Sequence, residues 1–262
     1  MTTEAVYDRI GKTYDQTRKA DPAISKKIIN HLSPTKTGQY LDVGCGSGNY
    51  TQMIAENGYR ICGVDISEEM LAKARNKSRH IEWILGDARS LPFQDNQFDG
   101  ATCTLATHHI KDIEKSFQEV FRVLKKGRFV IFTTFPEQME TWWLNRYFPN
   151  MMRVATGMMH CYDRVLAALK VAGFKDIRTE KLFISNDLQD WFLQAGKYRP
   201  QIYLDPVVRS GISTFALEDS QEEIISGCSK LQIDISSGEI NRVIESHESD
   251  LGDYVFVVCQ KG

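Results

Sequence analysis

Hydrophobic and polar positions follow two rhythms along the first half of the chain. Short apolar runs that end in an acid or a glycine indicate strands, and apolar residues spaced three and four apart between them indicate helices. The strands predicted in this way are Tyr40–Gly44, Arg60–Val64, Ile81–Leu85, Phe98–Leu105 and Arg128–Thr134. Such β-α alternation predicts a doubly wound α/β fold with a parallel sheet, in which ligands bind beyond the carboxyl ends of the strands.

Beyond residue 134 the regular alternation of predicted strands and helices ends. The segment 139–159 is rich in aromatic residues and holds five of the eight methionines. A regular helix and strand follow it, a mostly helical stretch comes next, and Tyr254–Val258 reads as a last strand. The predicted organisation is a core interrupted by two insertions. The core comprises residues 1–134, 161–185 and 251–262, and the insertions are 135–160 and 186–250.

A glycine-rich turn follows the first predicted strand. It reads Leu41-Asp-Val-Gly-Cys-Gly-Ser-Gly-Asn-Tyr50, with an acid two residues before the first of three alternating glycines. Glycine allows tight turns and close approach of the backbone to a ligand. A second acid, Asp65, ends the next apolar strand, 21 residues after Gly44. An acid at that place in such folds accepts hydrogen bonds from ribose hydroxyls. A purely structural glycine turn is the alternative.

These residues resemble the S-adenosylmethionine (SAM) site of class I methyltransferases, whose first motif reads acid-x-Gly-x-Gly-x-Gly. A dinucleotide site would instead show Gly-x-Gly-x-x-Gly. SAM carries a cationic sulfonium and an amino group in place of a pyrophosphate, so a carboxylate such as Asp42 suits it. The resemblance implies that Asp42, Gly44 and Gly46 hold the methionine part of SAM and that Asp65 holds the ribose.

The segment after the third predicted strand, Gly86-Asp87-Ala88, resembles the adenine motif of that family. The resemblance implies that Asp87 accepts a hydrogen bond from the exocyclic amine and that the backbone amide of Ala88 meets the ring. An acid that only closes a turn is the alternative for Asp87. Ile66 and Met70 either pack on the adenine or are ordinary core residues.

Near the N-terminus, Tyr7, Ile10, Tyr14 and Arg18 fall on one helical face. Together with Asp21-Pro22 they resemble the N-terminal segment of methyltransferases of the ubiquinone/menaquinone-biosynthesis type. The resemblance implies a helix that closes over SAM, with Tyr14 and Arg18 near its amino-acid end. Arg18 then pairs with the SAM carboxylate, and a solvated arginine is the alternative.

The stretch from Phe98 to Ile110 resembles the fourth motif of the family, which leads to the reaction centre. The resemblance places Thr104 and Leu105 nearest the methyl group and His108 and His109 at the mouth of the pocket. A neutral histidine could take a proton from a nucleophilic hydroxyl or amine. In the alternative, one histidine caps the following helix and the other packs on the cofactor. A base is not obligatory, because alignment of the reactants can supply much of the acceleration.

Composition narrows the class of partner. The formal net charge is −2 and there is no long basic run, which argues against binding to nucleic acid through its backbone. The six cysteines are scattered without a Cys-x-x-Cys pair, so neither a metal site nor a disulfide framework is supported. Without an N-terminal apolar core or an 18-residue apolar run, we expect no signal peptide, no membrane span and a cytoplasmic location.

The resemblance implies a Rossmann-like sheet of seven strands, the last of them antiparallel, with the two insertions as helical lids over the site. The function expected from it is transfer of a methyl group from SAM to O, N or C of a small, aromatic or apolar metabolite. RNA or protein methylation and non-catalytic binding of SAM are the alternatives. The sequence leaves the oligomeric state open.

Overall fold

Seven strands form one sheet in the part of the chain that the computed structural model describes, residues 17–217 and 221–262. The strands are β1 Gln39–Val43, β2 Arg60–Asp65, β3 Trp83–Leu85, β4 Phe98–Thr104, β5 Leu124–Thr133, β6 Lys175–Leu182 and β7 Tyr254–Lys261. Their order in the sheet is β3-β2-β1-β4-β5-β7-β6. Neighbours from β3 to β5 pair in parallel, whereas β7 runs antiparallel to β5. This confirms the predicted sheet with its antiparallel last strand.

The helices of the described residues lie before β1, in the connections between strands and in the segments after β5. They are α1 Pro22–Leu32, α2 Asn49–Glu56, α3 Glu68–Lys77, α4 Ile113–Val123, α5 Pro136–Met139, α6 Pro149–Met158, α7 Tyr162–Ala172, α8 Pro206–Ser210, α9 Ser213–Leu217, α10 Gln221–Ser237 and α11 Glu239–Ser246. Short 3-10 helices lie at Thr107–His109, Trp143–Arg146 and Pro200–Leu204. No helix of this part of the chain is long and apolar enough to cross a membrane.

Local sequence explains where several of these helices begin and end. The Asp21 side chain accepts hydrogen bonds from two N–H groups in the first turn of α1, and Pro22 occupies the first helical position. Ser67 caps α3 in the same way, because its side chain accepts a hydrogen bond from Met70 N–H. Gly173 ends α7 in the left-handed conformation.

The start of β5 departs most from its predicted position. β5 begins at Leu124, four residues before the predicted start at Arg128, because Leu124 pairs with Phe98 of β4. Gly127, which lies between Leu124 and Arg128, has a φ of +141°. A Cβ at this position would lie 2.0 Å from the carbonyl oxygen of Asp99. Only glycine lets the two strands approach here, so the Lys-Lys-Gly sequence continues the strand instead of ending it in a turn.

The described chain divides into two compact units, which are considered separately. The sheet unit comprises residues 20–133, 160–180 and 255–262, and the helical unit comprises 17–19, 134–159 and 181–254. Buried aliphatic and aromatic residues such as Leu41, Phe117 and Ile131 form the core of the sheet unit. In the helical unit the largest fully buried side chains include Trp143, Tyr203 and Phe148.

The helical unit contains nearly all of both predicted insertions, 135–160 and 186–250. Its residues from 139 to 159 form the end of α5, a 3-10 turn and α6, and most of its aromatic side chains are buried. The exact boundaries of the insertions and their role as covers over a site stay predictions.

Candidate functional site

The turn between β1 and α2 depends on its three glycines. Gly44, Gly46 and Gly48 have φ values of +69°, +54° and +78°, in the left-handed region that favours glycine. A Cβ at Gly44 would come within 2.7 Å of Ala106 Cβ, and one at Gly48 within 2.3 Å of the Trp83 ring. At Gly46 a Cβ would meet only Met70 Cε, at 3.7 Å. Two glycines therefore permit close internal contact, and the middle one leaves open space beside the backbone.

The Asp65 carboxylate joins this turn to the end of β2. Its Oδ2 accepts a hydrogen bond from Gly46 N–H at 2.7 Å, and its Oδ1 accepts one from Ser67 N–H at 2.9 Å. A carboxylate offers about four acceptor positions, so capacity remains for the hydroxyls of a ligand. Burial raises the pKa of Asp65, and the backbone N–H donors act in the opposite direction.

Asp42 lies deeper, with only 2% of its surface exposed. One carboxylate oxygen accepts from the Thr51 hydroxyl at 2.5 Å and the other from the Thr102 hydroxyl at 2.8 Å. Burial raises the pKa of Asp42 to about 6, and the two hydroxyl donors oppose this rise. Because both oxygens are engaged and almost wholly buried, this geometry suits Asp42 to act as a negative charge beneath the turn; its direct contact with a ligand stays a prediction.

The two acids form a pair of like charges. Asp65 contributes to the raised pKa of Asp42, and among the described residues no cationic side chain lowers the pKa of either acid. A cationic ligand at the glycine turn would relieve this repulsion. The two carboxylates and the open space at Gly46 therefore fit the cationic amino-acid part of SAM.

Two apolar side chains are left exposed beside these acids. Ile66 is 50% exposed and Leu85 is 54% exposed. Leu85 ends β3 directly opposite Asp65 in the register of the parallel pair. An exposed apolar pair beside a carboxylate suits one face of an adenine ring. Leu85 was not predicted from the sequence, although its place at the carboxyl end of a strand could have indicated it.

Asp87 follows β3 on an exposed turn. Arg89 binds its carboxylate through Nε at 3.0 Å and Nη2 at 2.6 Å, and this guanidinium holds the pKa of Asp87 below its usual range. Ala88 beside it is half-buried. The predicted contacts of Asp87 and Ala88 with adenine stay predictions, and Arg89 is a partner that the sequence did not indicate.

The end of β4 holds the backbone in an uncommon conformation. Thr104 is the last residue of the strand, and Leu105 after it has a φ of +51°, which costs roughly 1–3 kcal/mol for a residue with a side chain. A hydrogen bond from Leu105 N–H to Phe132 O, at 2.7 Å, holds the turn in place. Such strain concentrates at functional sites, and here it falls at the position predicted to lie nearest the methyl group.

His108 and His109 lie in the 3-10 turn that follows. Their ring centroids are 3.9 Å apart and the rings are tilted by 47°. The following helix α4 is capped by Asp112, whose carboxylate accepts from Lys115 N–H at 3.0 Å. The alternative in which one of these histidines caps the helix is therefore wrong, because an acid nearer the helix already fills that position.

Arg18 forms a bidentate ion pair with Asp190 inside the helical unit. Its Nε lies 2.6 Å from Oδ1 and its Nη2 lies 3.3 Å from Oδ2, and the side chains are only 14% and 2% exposed. The alternative of a solvated arginine is therefore wrong, whereas its pairing with the SAM carboxylate stays a prediction. Arg18 itself is not helical, although the sequence places it on a predicted helical face. Tyr14 lies outside the described residues.

Lys77 supports the glycine turn from the last turn of α3 and was missed in the sequence. Its ammonium donates to the Ser47 carbonyl oxygen at 3.1 Å, the Ser47 hydroxyl at 2.9 Å and Asn49 Oδ1 at 2.6 Å.

Within the described chain, no group of three or more His, Cys, Asp or Glu side chains is arranged to hold a metal ion.

Comparison with known proteins finds methyltransferases. The family model described as a methyltransferase domain matches residues 41–132, from the glycine turn to the end of β5. A 2-phytyl-1,4-naphtoquinone methyltransferase of Nostoc punctiforme is 37% identical over 48% of this chain and 62% of its own length. A malonyl-[acyl-carrier protein] O-methyltransferase of Erwinia pyrifoliae is 30% identical over 51% of each chain. The chain thus spans less than two thirds of the length of these curated relatives.

A solved structure extends the likeness over the whole fold. It is a putative methyltransferase from an antibiotic biosynthesis pathway of Anabaena variabilis, 31% identical, with a TM-score of 0.84 over 93% of this chain and 99% of that one. Both units of the present chain therefore have counterparts in a single related protein. From the glycine turn, the two acids, the sheet order and these relatives, we conclude that the chain belongs to the class I SAM-dependent methyltransferases.

Proposed function

We propose that this protein transfers the methyl group of SAM to O, N or C of a small, aromatic or apolar metabolite. The observation that carries the proposal is the pair of acids, Asp42 and Asp65, at a glycine turn that leaves open space at Gly46. When bound, SAM supplies an activated methyl group on a cationic sulfur. The protein residues bind, orient and shield that group.

Binding of the cofactor is proposed to follow the ends of three strands. Asp65 accepts from the ribose hydroxyls, and Ile66 with Leu85 covers one face of the adenine. Asp87 and Ala88 meet the edge of that ring. The half-exposed apolar side chains of Ile66 and Leu85 support this assignment, because a flat aromatic ligand would bury them.

The reaction is proposed to depend mainly on alignment, with a histidine receiving the proton when the acceptor atom carries one. Thr104 and the strained Leu105 would face the methyl group, and His109 or His108 would take the proton. We expect His109→Ala to lower kcat by about 100-fold and to leave the Kd for SAM within twofold. His108→Ala, measured in parallel, identifies the ring that acts. Rates that keep the wild-type pH profile in both variants would assign the acceleration to alignment alone.

A small-molecule acceptor is proposed on two grounds. The relatives include proteins named as methyltransferases of 2-phytyl-1,4-naphtoquinone, of demethylmenaquinone and of malonyl-[acyl-carrier protein]. The net charge of −2 does not favour an RNA target. We further propose a cytoplasmic location, and the six free thiols of the chain are in keeping with a reducing compartment.

Methyl-tritiated SAM incubated with the protein and a fractionated extract tests the proposal. We expect label in the low-mass, organic-extractable fraction. Label in RNA or protein would overturn the substrate class, and tight SAM binding with label in no fraction would favour the non-catalytic alternative.

Two variants serve as the matched pair in this experiment. Asp65→Ala removes the acceptor for the ribose and for Gly46 N–H, so we expect its Kd for SAM, measured by calorimetry, to rise about 100-fold and its label to disappear. Asp99 also accepts a backbone N–H, from Gln39 at 2.9 Å, but at the amino end of β1. Asp99→Ala should bind SAM as the wild type does. Equal affinity in Asp65→Ala and the wild type would remove the ribose assignment.

A further inference from the structure

His160 binds the backbone of the segment that follows the two histidines of the candidate site. Its Nε2 lies 2.9 Å from the carbonyl oxygen of Ile110, the residue directly after His108 and His109. His160 comes two residues before α7, in the same sheet unit. A hydrogen bond between residues 50 positions apart therefore joins the end of the 3-10 turn to the start of a helix.

Arg164 fixes the state of the His160 ring. Its Nη1 lies 3.1 Å from His160 Nδ1. A carbonyl oxygen can only accept and a guanidinium can only donate, so Nε2 must carry the ring proton and Nδ1 must offer its lone pair. The neutral tautomer with its proton on Nε2 satisfies both contacts, whereas the other tautomer and the doubly protonated ring do not.

The guanidinium of Arg164 is itself held in place. It donates to both carboxylate oxygens of Glu114, from Nε at 2.8 Å and from Nη2 at 2.9 Å, and this contact lowers the pKa of Glu114 to about 2. Nη2 also donates to the carbonyl oxygen of Lys111 at 3.2 Å. The side chains of His160 and Arg164, here called the clamp, thus bind the carbonyl oxygens of two consecutive residues, Ile110 and Lys111.

The turn that precedes the clamped residues is short. It comprises Thr107–His109, and its backbone bonds run from His109 N–H to Ala106 O and from Ile110 N–H to Thr107 O, both at 3.0 Å. Hydrogen bonds of 3-10 turns have poorer geometry than those of α-helices. A side-chain clamp at the end of this turn therefore restricts movement of the backbone that carries both imidazoles.

We propose that His160 is a positioning residue, which holds His108 and His109 in the orientation that methyl transfer requires. This inference rests on the proposed function, in which one of these two histidines receives a proton. His160 acts through the backbone of Ile110 and touches neither SAM nor the acceptor. Misplacement of a reacting group by about 1 Å can lower a rate by about 100-fold, so a fixed turn contributes more to kcat than to cofactor binding.

The tautomer of His160 is the first test, and it needs no substrate. Nuclear magnetic resonance of protein with nitrogen-15-labelled histidine shows which ring nitrogen carries the proton, and the signal lost in His160→Gln identifies His160. At pH 8, where an ordinary histidine is neutral, we expect the proton on Nε2. A proton on Nδ1 would overturn the proposal, because that ring could not bind Arg164 and Ile110 together.

Hydrogen exchange measures whether the clamp holds the turn. His160→Leu removes both ring nitrogens, so we expect the amide hydrogens of His109 and Ile110 to exchange about tenfold faster. Gly58 N–H closes another turn of the sheet unit through Ala55 O, at 2.7 Å, and should exchange as in the wild type. His160→Gln keeps a donor and an acceptor on one planar group and should restore slow exchange.

Methyl transfer measures whether the fixed turn matters to the reaction. The probe is methyl-tritiated SAM at saturation, with the extract fraction that takes up label from the wild type. We expect His160→Leu to transfer label at least about tenfold more slowly, with a Kd for SAM within about twofold of the wild type, and His160→Gln to recover most of the rate.

His247→Leu is the matched control for these measurements. Its Nδ1 also lies close to a carbonyl oxygen, that of Val243 at 2.7 Å, but at the end of α11 in the helical unit. This variant should transfer label as the wild type does. Arg164→Met keeps the proposal testable if His160→Leu does not fold: it removes the donor to Nδ1, so we expect both neutral tautomers of His160 and faster exchange at Ile110.

Wild-type rates of exchange and of label transfer in His160→Leu would overturn the proposal, and so would a loss of SAM affinity as large as the loss of rate. Faster exchange with an unchanged rate of transfer would leave a structural contact and overturn the positioning role. If the wild type transfers no label, the proposed function fails and the positioning role fails with it. The tautomer and the exchange rates would then still show whether the clamp exists.

Discussion

Each unit of the chain buries a carboxylate, and the two are stabilised in different ways. In the helical unit, Asp253 is 4% exposed and accepts from the Lys197 ammonium at 2.9 and 3.0 Å and from Ile184 N–H at 2.8 Å. In the sheet unit, Asp42 is 2% exposed, and within the described chain its carboxylate accepts only from the hydroxyls of Thr51 and Thr102. Asp253 has a built-in countercharge, whereas the donors to Asp42 are neutral.

This difference separates a structural carboxylate from one that is prepared for a ligand. Burying an ion requires hydrogen bonds and an opposite charge if it is to remain ionised at little cost. Asp253 meets both conditions without any ligand. Asp42 meets only the first condition. Burial without an opposite charge raises its pKa to about 6. The cationic part of SAM would provide the missing opposite charge. Stabilisation of ionised Asp42 would therefore add to the free energy of cofactor binding.

Removal of the built-in countercharge should produce the largest effect. Lys197→Met leaves Asp253 buried with an N–H donor but no cation, and breaking a buried pair in this way costs about 3–5 kcal/mol. We expect a fall of that size in the free energy of unfolding at pH 7, measured by urea denaturation with tryptophan fluorescence.

The control for this prediction is an exposed ion pair of the same unit. Arg242 pairs with Glu239 at 3.4 Å, and the arginine side chain is 82% exposed. Arg242→Met should change the free energy of unfolding by less than about 0.5 kcal/mol. A loss below about 1 kcal/mol in Lys197→Met would contradict the view that buried Asp253 depends on the charge of Lys197.

The pH dependence of Asp42 should produce the next effect. Its pKa rises from 3.8 to about 6 on folding. Between these values the folded protein retains a proton that the unfolded chain has released, so stability falls as the pH rises from about 4 to 6, by roughly 3 kcal/mol in all. Asp42→Asn should remove most of this decline, and Asp65, whose pKa burial also raises, accounts for a residual slope.

Binding of SAM should show the opposite trend. The ionised form of Asp42 attracts the cationic cofactor, so we expect the affinity for SAM to rise with pH up to about 6 and then to level off. Calorimetric titrations between pH 5 and pH 8 measure this, with Asp99→Asn as the control that changes a partly buried acid at the amino end of β1. A SAM affinity that is independent of pH in the wild type would exclude Asp42 as the ligand's countercharge.

The sheet unit could be predicted from sequence to a large extent, and the reason is that its signals are local. The glycines at 44, 46 and 48 follow a strand within one short segment, and Asp65 ends the next strand. Thr102 was missed as a partner of Asp42 because it lies 60 residues away. It is nonetheless opposite Asp42 in the register of β1 and β4, so knowledge of the strand order would have indicated it.

The helical unit could be predicted only in outline. The pattern of its apolar residues is compatible with a lid and with a core, because both structures bury hydrophobic side chains. The pair of Arg18 and Asp190 joins residues 172 positions apart, and Lys197 with Asp253 joins residues 56 apart. No periodicity connects such residues, since neither pair lies on adjacent strands of a regular sheet. Side-chain contacts of this kind become visible only when the chain is folded.

The smallest effect should come from the hydroxyls that stabilise Asp42. Thr102→Val keeps the shape of the side chain but removes one of the two donors to the carboxylate. Loss of one such hydrogen bond, worth about 1–2 kcal/mol to the charged form, should raise the pH midpoint of SAM binding by about one unit. Thr133 is the matched control, because its hydroxyl lies 3.1 Å from the Thr107 hydroxyl and is not one of the two hydroxyls that donate to Asp42. Thr133→Val should leave the midpoint where it is; if both variants shift it equally, the effect reflects general loosening of the sheet and the neutral donors do not tune Asp42.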